Sequence, residues 1–434
     1  MSPVSIGILG IVALLILLFL RVPVGVSMIV VAVSGNMILS APGPALQKLG
    51  IDAISLTQNY GISLIPLFIL MGMFLAKAGL GGALFEFINY FVRRFRGGMA
   101  VATLGASAGF GAVCGSVVAA VSTITSVSVP EMVKSKYDPG FSAGVSAAGS
   151  AVGVVIPPSS ALVVYGILTE ESIGQVMIGG IIPGFFTILL LIFTVPFILM
   201  WKKDLAPAGD KSKHPFPWDK LKLVWAVPVI FLICIGGIYG GFFTPTEAGS
   251  IGAFASLLFA IAVRAMNWTV FKESITRAVR ISAMTFLIIV GGQLFAQFMA
   301  RSTIPYTLGK YISGLDVAPF IIIMLMLLIY TAMGLFMDEM SDLIILTPIL
   351  YPIATALGFN GVWFGVLSIM MLILGFITPP VGIVTLVASS ISGVPSLDVF
   401  KYQWMFWITI IIAIVLMVIF PNIIMFLPNM MFNR

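Results

Sequence analysis

The chain has 434 residues, of which 60% are hydrophobic and 9% charged, and its mean hydropathy is +1.16. Soluble domains carry about 25% charged residues, so a water-soluble globular protein is excluded. Apolar runs of about 18 or more residues recur from end to end without strand-like alternation, which predicts an all-α polytopic membrane protein. The net charge of +6 does not indicate nucleic acid, because the basic residues fall in short loops between apolar segments.

In chain order, the first spans are predicted at 4–20, 22–40 and 63–80. Arg21 follows the first and no basic residue precedes it, the reverse of a cleaved signal peptide, so it reads as a retained span with its N-terminus outside. The amphipathic stretch "LFEFINYFVRRFR" (84–96) reads as an interfacial arm. Next comes an apolar stretch over 100–129 that is too long for one comfortable crossing and too short for two. Half of it, about 15 residues, rises only about 22 Å as helix against a core of about 30 Å. It therefore reads as a re-entrant hairpin with "GFGAVCGSVVA" at its tip. Spans at 140–168 and 174–200 lead to a polar loop, 201–221, that holds the lone His214, read as solvated. Spans at 222–241, 247–265 and 281–300 follow. A second arm is predicted around 304–315, a second hairpin over 318–350 with "TAMGLFMDEMSD" at its tip, and spans at 362–389 and 403–427. Cys114 and Cys234 lie in apolar sequence and give no disulfide framework or metal motif. The GxxxG match at 111–115 and the Met-rich run at 369–374 read as packing.

With the N-terminus outside, every Lys and Arg except Lys48, Arg301, Lys310 and Arg434 lies on the cytoplasmic side, which fixes the predicted orientation. Both termini are then external, the first hairpin opens to the cytoplasm and the second to the opposite side. A shift of 222 residues superposes Pro23 on Pro245, Pro130 on Pro352, Pro157 on Pro379 and Pro158 on Pro380, with Gly153 on Gly375 and Ser146 on Ser368. Chance predicts fewer than one proline coincidence, so the halves are an internal repeat. Each half has five crossings, so the second enters the membrane inverted, as in secondary transporters. The division follows: 1–62 scaffold, 63–200 arm, hairpin and broken helix of the first repeat, 201–221 loop, 222–280 scaffold, and 281–434 the second arm, hairpin and broken helix.

The segments "GVVIPPSS" and "GFITPPVG" break their spans at symmetric positions, Pro157–Pro158 and Pro379–Pro380. Such breaks at membrane depth line a cavity or face protein, and offer carbonyls to a cation and helix N-termini to an anion; the alternative is a pair of kinks filled by neighbouring hydroxyls. Three acids sit inside the second hairpin: Asp338, Glu339 and Asp342. An intramembrane carboxylate is a functional candidate by default, while a helix cap is the competing role. Asp338 is favoured for the site. Asp342, on the same helix face, stands evenly between the two roles, and Glu339 reads as structural or water-facing. Asp338 is the repeat equivalent of Ser116, so the two hairpin tips should meet across the cavity, with Ser159 and Ser160 from the first break and Thr378 and Thr385 from the second. No Lys or Arg lies in either hairpin or broken helix, so an anion would lean on helix N-termini, hydroxyls and bound cations. A channel is disfavoured by the inverted repeat, an intramembrane enzyme by the lack of a Ser-His pair or HExxH, and an ATP-driven pump by the lack of a phosphate-binding loop.

The motifs "GSVVAAVSTI" (115–124), "VIPPSS" (155–160), "GGFFTPTEAGSIGA" (240–253), "GLFMDEMSDLIILTPI" (334–349) and "GFITPPVGIVTL" (375–386) resemble the large membrane subunit of the tripartite ATP-independent periplasmic (TRAP) transporters, over essentially the whole chain. The resemblance implies the fold of divalent-anion/sodium elevator transporters, in the bacterial inner membrane. It implies a small membrane subunit and a secreted periplasmic substrate-binding protein as partners beside membrane lipid, and sodium as the coupling ion, with no organic cofactor and no nucleic acid. It implies substrate contacts at Ser116, Ser159, Ser160, Asp338 and Thr385. One sodium site would use carbonyls near Gly115, Gly153 and Ile156, and another those near Gly334, Met337, Gly375 and Thr378. An aspartate in the site suits a polyhydroxylated acid, and the sequence resembles the sialic-acid branch; C4-dicarboxylates are the competing substrates.

Overall fold

The structure is a computed structural model that describes residues 2–40, 42–212, 214–313 and 317–432. The expected contributions of Arg434 and of the 314–315 end of the second arm lie outside the described residues, as does the side chain of Lys48. Among the described residues every regular element is a helix. The first repeat comprises α1 (Pro3–Phe19), α2 (Val24–Leu39), α3 (Pro42–Thr57), α4 (Leu64–Lys77), the arm α5 (Leu80–Val92), hairpin helices α6 (Gly98–Cys114) and α7 (Val117–Lys134), and the broken pair α8 (Pro139–Gly153) and α9 (Ser160–Thr169). It ends with α10 (Ile173–Gly179) and α11 (Ile181–Trp201). The second repeat opens with α12 (Trp218–Val224), α13 (Ala226–Phe231), a wide π turn over Leu232–Gly236 and α14 (Gly237–Tyr239). It continues as α15 (Pro245–Ala262), α16 (Trp268–Arg301), the arm α17 (Ile304–Ser313), hairpin helices α18 (Pro319–Gly334) and α19 (Glu339–Ala356), and the broken pair α20 (Gly361–Phe376) and α21 (Ile383–Ser392). The last helices are α22 (Ser396–Ile419) and α23 (Asn422–Phe432).

The 222-residue shift carries α7 onto α19 residue for residue, and α8 and α9 onto α20 and α21. Even the caps correspond. Asp138 accepts from Phe141 N at 2.9 Å to start α8, and Asn360 accepts from Trp363 N at 3.0 Å to start α20. The packing exchanges under the same operation: α9 packs on α19 while α21 packs on α7, and α2 packs on α16 while α15 packs on α4. Swapping the repeats maps this contact set onto itself, which is what a pseudo-two-fold requires.

Among the described residues seven helical segments are long and apolar enough to cross a membrane, and α1 and α2 are only slightly shorter. The structure departs from the predicted spans in four places. Residues 42–57, assigned no element, form α3, whose Pro-Gly-Pro opening and scattered polar residues hide an amphipathic helix. The span expected at 281–300 is the second part of α16, one helix of 34 residues. Under the shift, α16 is α3 and α4 joined without a break. The spans 174–200 and 403–427 are each two helices, separated at Gly180 and at Phe420–Pro421.

The first hairpin packs on α8, whose residues from Gly140 to Gly153 are all buried and mostly Gly, Ala or Ser. Small residues let backbones approach closely: Gly111 lies directly on the backbone of Gly153, which in turn lies on the carbonyl of Ser107. Thr125 Oγ1 and Ser146 Oγ, 2.9 Å apart, hydrogen-bond across the other side of α8. The loop after α11 straps across the arm. Asp210 N donates to Arg93 O, Arg96 Nε to Ala206 O at 3.1 Å, and the Phe216 ring packs edge-on against Phe87, Tyr90 and Phe91.

Candidate substrate and cation site

Each hairpin tip meets a break. In the first, α6 stops at Gly115, whose φ of +66° is the left-handed region that favours glycine. Ser116 is extended and begins α7, with its side chain making no capping bond. Ser160 Oγ, buried at the start of α9, donates to the Gly115 carbonyl, and a Cβ at Gly115 would stand 3.4 Å from the Pro158 carbonyl. Ile156 N donates to Gly153 O at 3.2 Å, closing the end of α8. The Gly115 and Gly153 carbonyls are thus each engaged once and keep a second lone pair. Ser159 is fully buried and its hydroxyl has no hydrogen-bond partner.

In the second, α18 stops at Gly334 and Asp338 caps α19, accepting from Met340 N at 3.2 Å, Ser341 N at 3.4 Å and Ser341 Oγ at 2.5 Å. Asp338 therefore fills the capping role while its exposed carboxylate also lines a cavity. Met337 N turns back to Met333 O at 3.1 Å. Gly334 and Gly375 cross backbone to backbone: a Cβ at Gly375 would meet Thr331 O at 2.6 Å and the Gly334 carbonyl carbon at 3.0 Å. Thr378 Oγ1 donates to Leu374 O at 2.5 Å and accepts from Trp407 Nε1 at 2.7 Å. The Pro157–Pro158 and Pro379–Pro380 bonds are both cis.

The acids correct the sequence reading. Glu339 is not water-facing: it is buried, lines the cavity, and its Oε1 has no hydrogen-bond partner. Asp342 has 0% exposure and neither carboxylate oxygen has a hydrogen-bond partner among the described residues. Its Oδ2 stands 3.4 Å from where a Gly334 Cβ would be, so it points at the Gly334–Gly375 crossing. An unpaired buried charge costs several kcal/mol, on the order of 3–5 when a partner is missing. The orphan oxygens of Asp342, with the carbonyls beside them, fit a small cation. Among the described residues no group of three or more His, Cys, Asp and Glu converges, so any cation here relies on backbone and hydroxyl oxygens as well.

A cavity of about 280 Å³ joins these parts. Ser116, Ser160, Asp338 and Glu339 form its polar side, Ile383 and Val384 enter from α21, and Ile65, Ile69, Ile281, Met284, Thr285 and Ile288 close it from α4 and α16. The structure thus brings Ser116, Ser160 and Asp338 together, as expected of facing tips. It brings in neither Ser159 nor Thr385: both are fully buried and outside the cavity lining, and the Thr385 hydroxyl donates to Gln403 Oε1 at 2.7 Å. Trp407, Gln403 and Thr285 carried no sequence signal, because each sits in an ordinary apolar run and is recruited only by packing.

Residues 11–423 match the family model described as the tripartite ATP-independent periplasmic transporter, DctM component. The chain belongs to that family. It is a multi-pass membrane transport protein rather than an enzyme. It is 30% identical over 386 residues to a C4-dicarboxylate TRAP transporter large permease protein of Pseudomonas aeruginosa, covering 89% of this chain and 90% of that one. It is 29% identical over 419 residues to a sialic acid TRAP transporter large permease protein of Vibrio cholerae, covering 95% and 96%. An isethionate TRAP transporter permease protein of Oleidesulfovibrio alaskensis is 35% identical over 345 residues, and the match spans 79% of this chain but 54% of that longer protein. The fold is similar to that of the Alcanivorax borkumensis YdaH transporter, with a TM-score of 0.65 at 13% identity over 88% of this chain and 89% of that one.

Proposed function

We propose that this TRAP permease chain imports an organic acid by sodium symport with an elevator motion. The observation that carries the sodium reading is the fully buried Asp342, both oxygens unpartnered, aimed at the Gly334–Gly375 crossing. A sodium ion there would be held by Asp342 with carbonyls near Gly334, Met337 and Gly375 and the Thr378 oxygen. A second would use carbonyls near Gly115, Gly153 and Ile156, with the orphan hydroxyl of Ser159 beside them. Bound cations offset the acidic lining and make the cavity acceptable to an anion.

The substrate contacts in this reading are Ser116, Ser160 and Asp338. Among the described residues two carboxylates, Asp338 and Glu339, line the cavity and no Lys or Arg does. That favours a single anionic group on a hydroxylated body over a dianion, since hydroxyls donate to carboxylates and a second negative charge is repelled. Sialic acid is the first candidate on this chemistry, and a C4-dicarboxylate the competing one. The moving body would be the two hairpins with the two broken helices, sliding past the apolar wall of α4 and α16 backed by α15 and α2. The inner membrane, external termini, a small membrane subunit and a periplasmic binding protein complete the proposal. The test is uptake of radiolabelled acids into proteoliposomes holding this chain and its small subunit, with the binding protein added, with and without an inward sodium gradient. Uptake that needs both sodium and the binding protein supports the reading; uptake indifferent to sodium refutes it.

A further inference from the structure

A second cavity, about 530 Å³, continues from the central one, sharing Ile69, Ser116, Val118 and Ile281 as common wall. Its charge is opposite. Lys77, at the end of α4, and Arg277, on α16, both line it. Lys77 Nζ is 3.2 Å from Glu273 Oε2, so that pair is internally compensated. Arg277 lies one helical turn beyond Glu273, is exposed, and has no ion-pair or hydrogen-bond partner among the described residues. The same cavity is lined from α7 by hydroxyls at Ser122, Thr123 and Ser126. Ser122 Oγ gives its hydrogen to Val118 O at 2.6 Å and Ser126 Oγ to Thr123 O at 2.8 Å, which leaves their oxygens as acceptors.

We infer that this vestibule holds a second, transient site for a hydroxylated carboxylate, with Arg277 taking the carboxylate and the Ser122 and Ser126 oxygens accepting the ligand's hydroxyl hydrogens. This rests on the reading that the central cavity carries an organic anion. The physical logic is a charge step. Once cations leave, Asp338 and Glu339 repel the anion, and the nearest uncompensated cation lining its way out is Arg277. A planar guanidinium binds a carboxylate by two parallel hydrogen bonds, which lysine cannot reproduce. Lys77 and Arg277, at this end of the vestibule, are both exposed, and the loop charges predict that side to be the cytoplasmic one, so the site would act in release.

The experiment is uptake in the proteoliposomes described above, with sialic acid, a C4-dicarboxylate and isethionate as probes, and with inhibition by the same acid preloaded on the Arg277 side. Arg277→Gln should lower the maximal rate and weaken that inhibition by about tenfold, with sodium half-saturation within about twofold of wild type. Lys77→Gln should also slow release, because the freed Glu273 then takes Arg277, and adding Glu273→Gln should restore the rate. All three substituted positions are exposed, and an intact fold is checked by size exclusion. Wild-type uptake with an unimpaired Arg277→Gln overturns this inference alone. Wild type that moves none of the three acids overturns the organic-acid reading of the central cavity and takes this inference with it.

Discussion

Replacing Asp342 by Asn isolates the charge at the second break with little change in volume. Asp342 is wholly buried and its oxygens have no hydrogen-bond partner among the described residues. At an effective dielectric of about 20, a unit cation about 4 Å away is worth about 4 kcal/mol to a carboxylate. The asparagine oxygen can still ligate, and its neutral side chain avoids the desolvation cost, so about half of that, about 2 kcal/mol, should be lost from binding. A tenfold change is about 1.4 kcal/mol, so sodium half-saturation should rise about 30-fold. The assay is the thermal transition of the purified chain titrated with sodium against choline, which needs no substrate. Wild type should be stabilised by sodium, and Asp342→Asn should be the more stable of the two in choline and less responsive to sodium. Equal sodium responses would mean that Asp342 carries no cation and is accommodated as a neutral acid.

Asp338→Ala should abolish uptake and also cost about 1 kcal/mol through loss of the α19 cap; Asp338→Asn keeps a capping oxygen, so normal uptake by that variant would remove the charge from the site. Exchanging Pro157 and Pro158 together for Ala should weaken sodium dependence by allowing α8 and α9 to join, and unchanged sodium affinity would make the prolines mere kinks. Gly375→Ala drives a Cβ toward the Thr331 carbonyl and should destabilise the fold by about 1–3 kcal/mol, read as a lower midpoint in detergent unfolding. In the strap after α11, hydrogen bonds from Ser212 and then His214 hold Asp210 down at about 2. A depressed carboxylate contributes above its unfolded value of about 3.9 and loses that contribution as pH falls toward the folded one. The strap should therefore resist proteolysis at pH 5 and loosen only as pH drops below about 4, and Asp210→Asn should abolish that dependence.

Composition alone determined the membrane class, because 9% charge leaves no way to cover a soluble surface. Periodicity and proline positions went further. The shift of 222 is written in Pro157–Pro158 and Pro379–Pro380, since a break that must recur in both repeats needs the same donor-free residues in both. The facing of Ser116 and Asp338 followed from that symmetry without any knowledge of distance. What the linear chain could not show were relations between residues far apart in it. In sequence Asp342 stands evenly between site and cap and Glu339 reads as structural or water-facing, and only packing decides that one is sealed at the Gly334–Gly375 crossing and the other lines a cavity. Thr385 matched the hydroxyl pattern, but Gln403 on the next helix claims it. The two basic residues of the vestibule are read apart, Lys77 at the end of a span and Arg277 in a loop, because they are some 200 positions apart and share a wall only after α4 packs on α16. Periodicity is a local property and sets elements; burial and charge pairing are set by neighbours in space, and the tertiary fold alone chooses those.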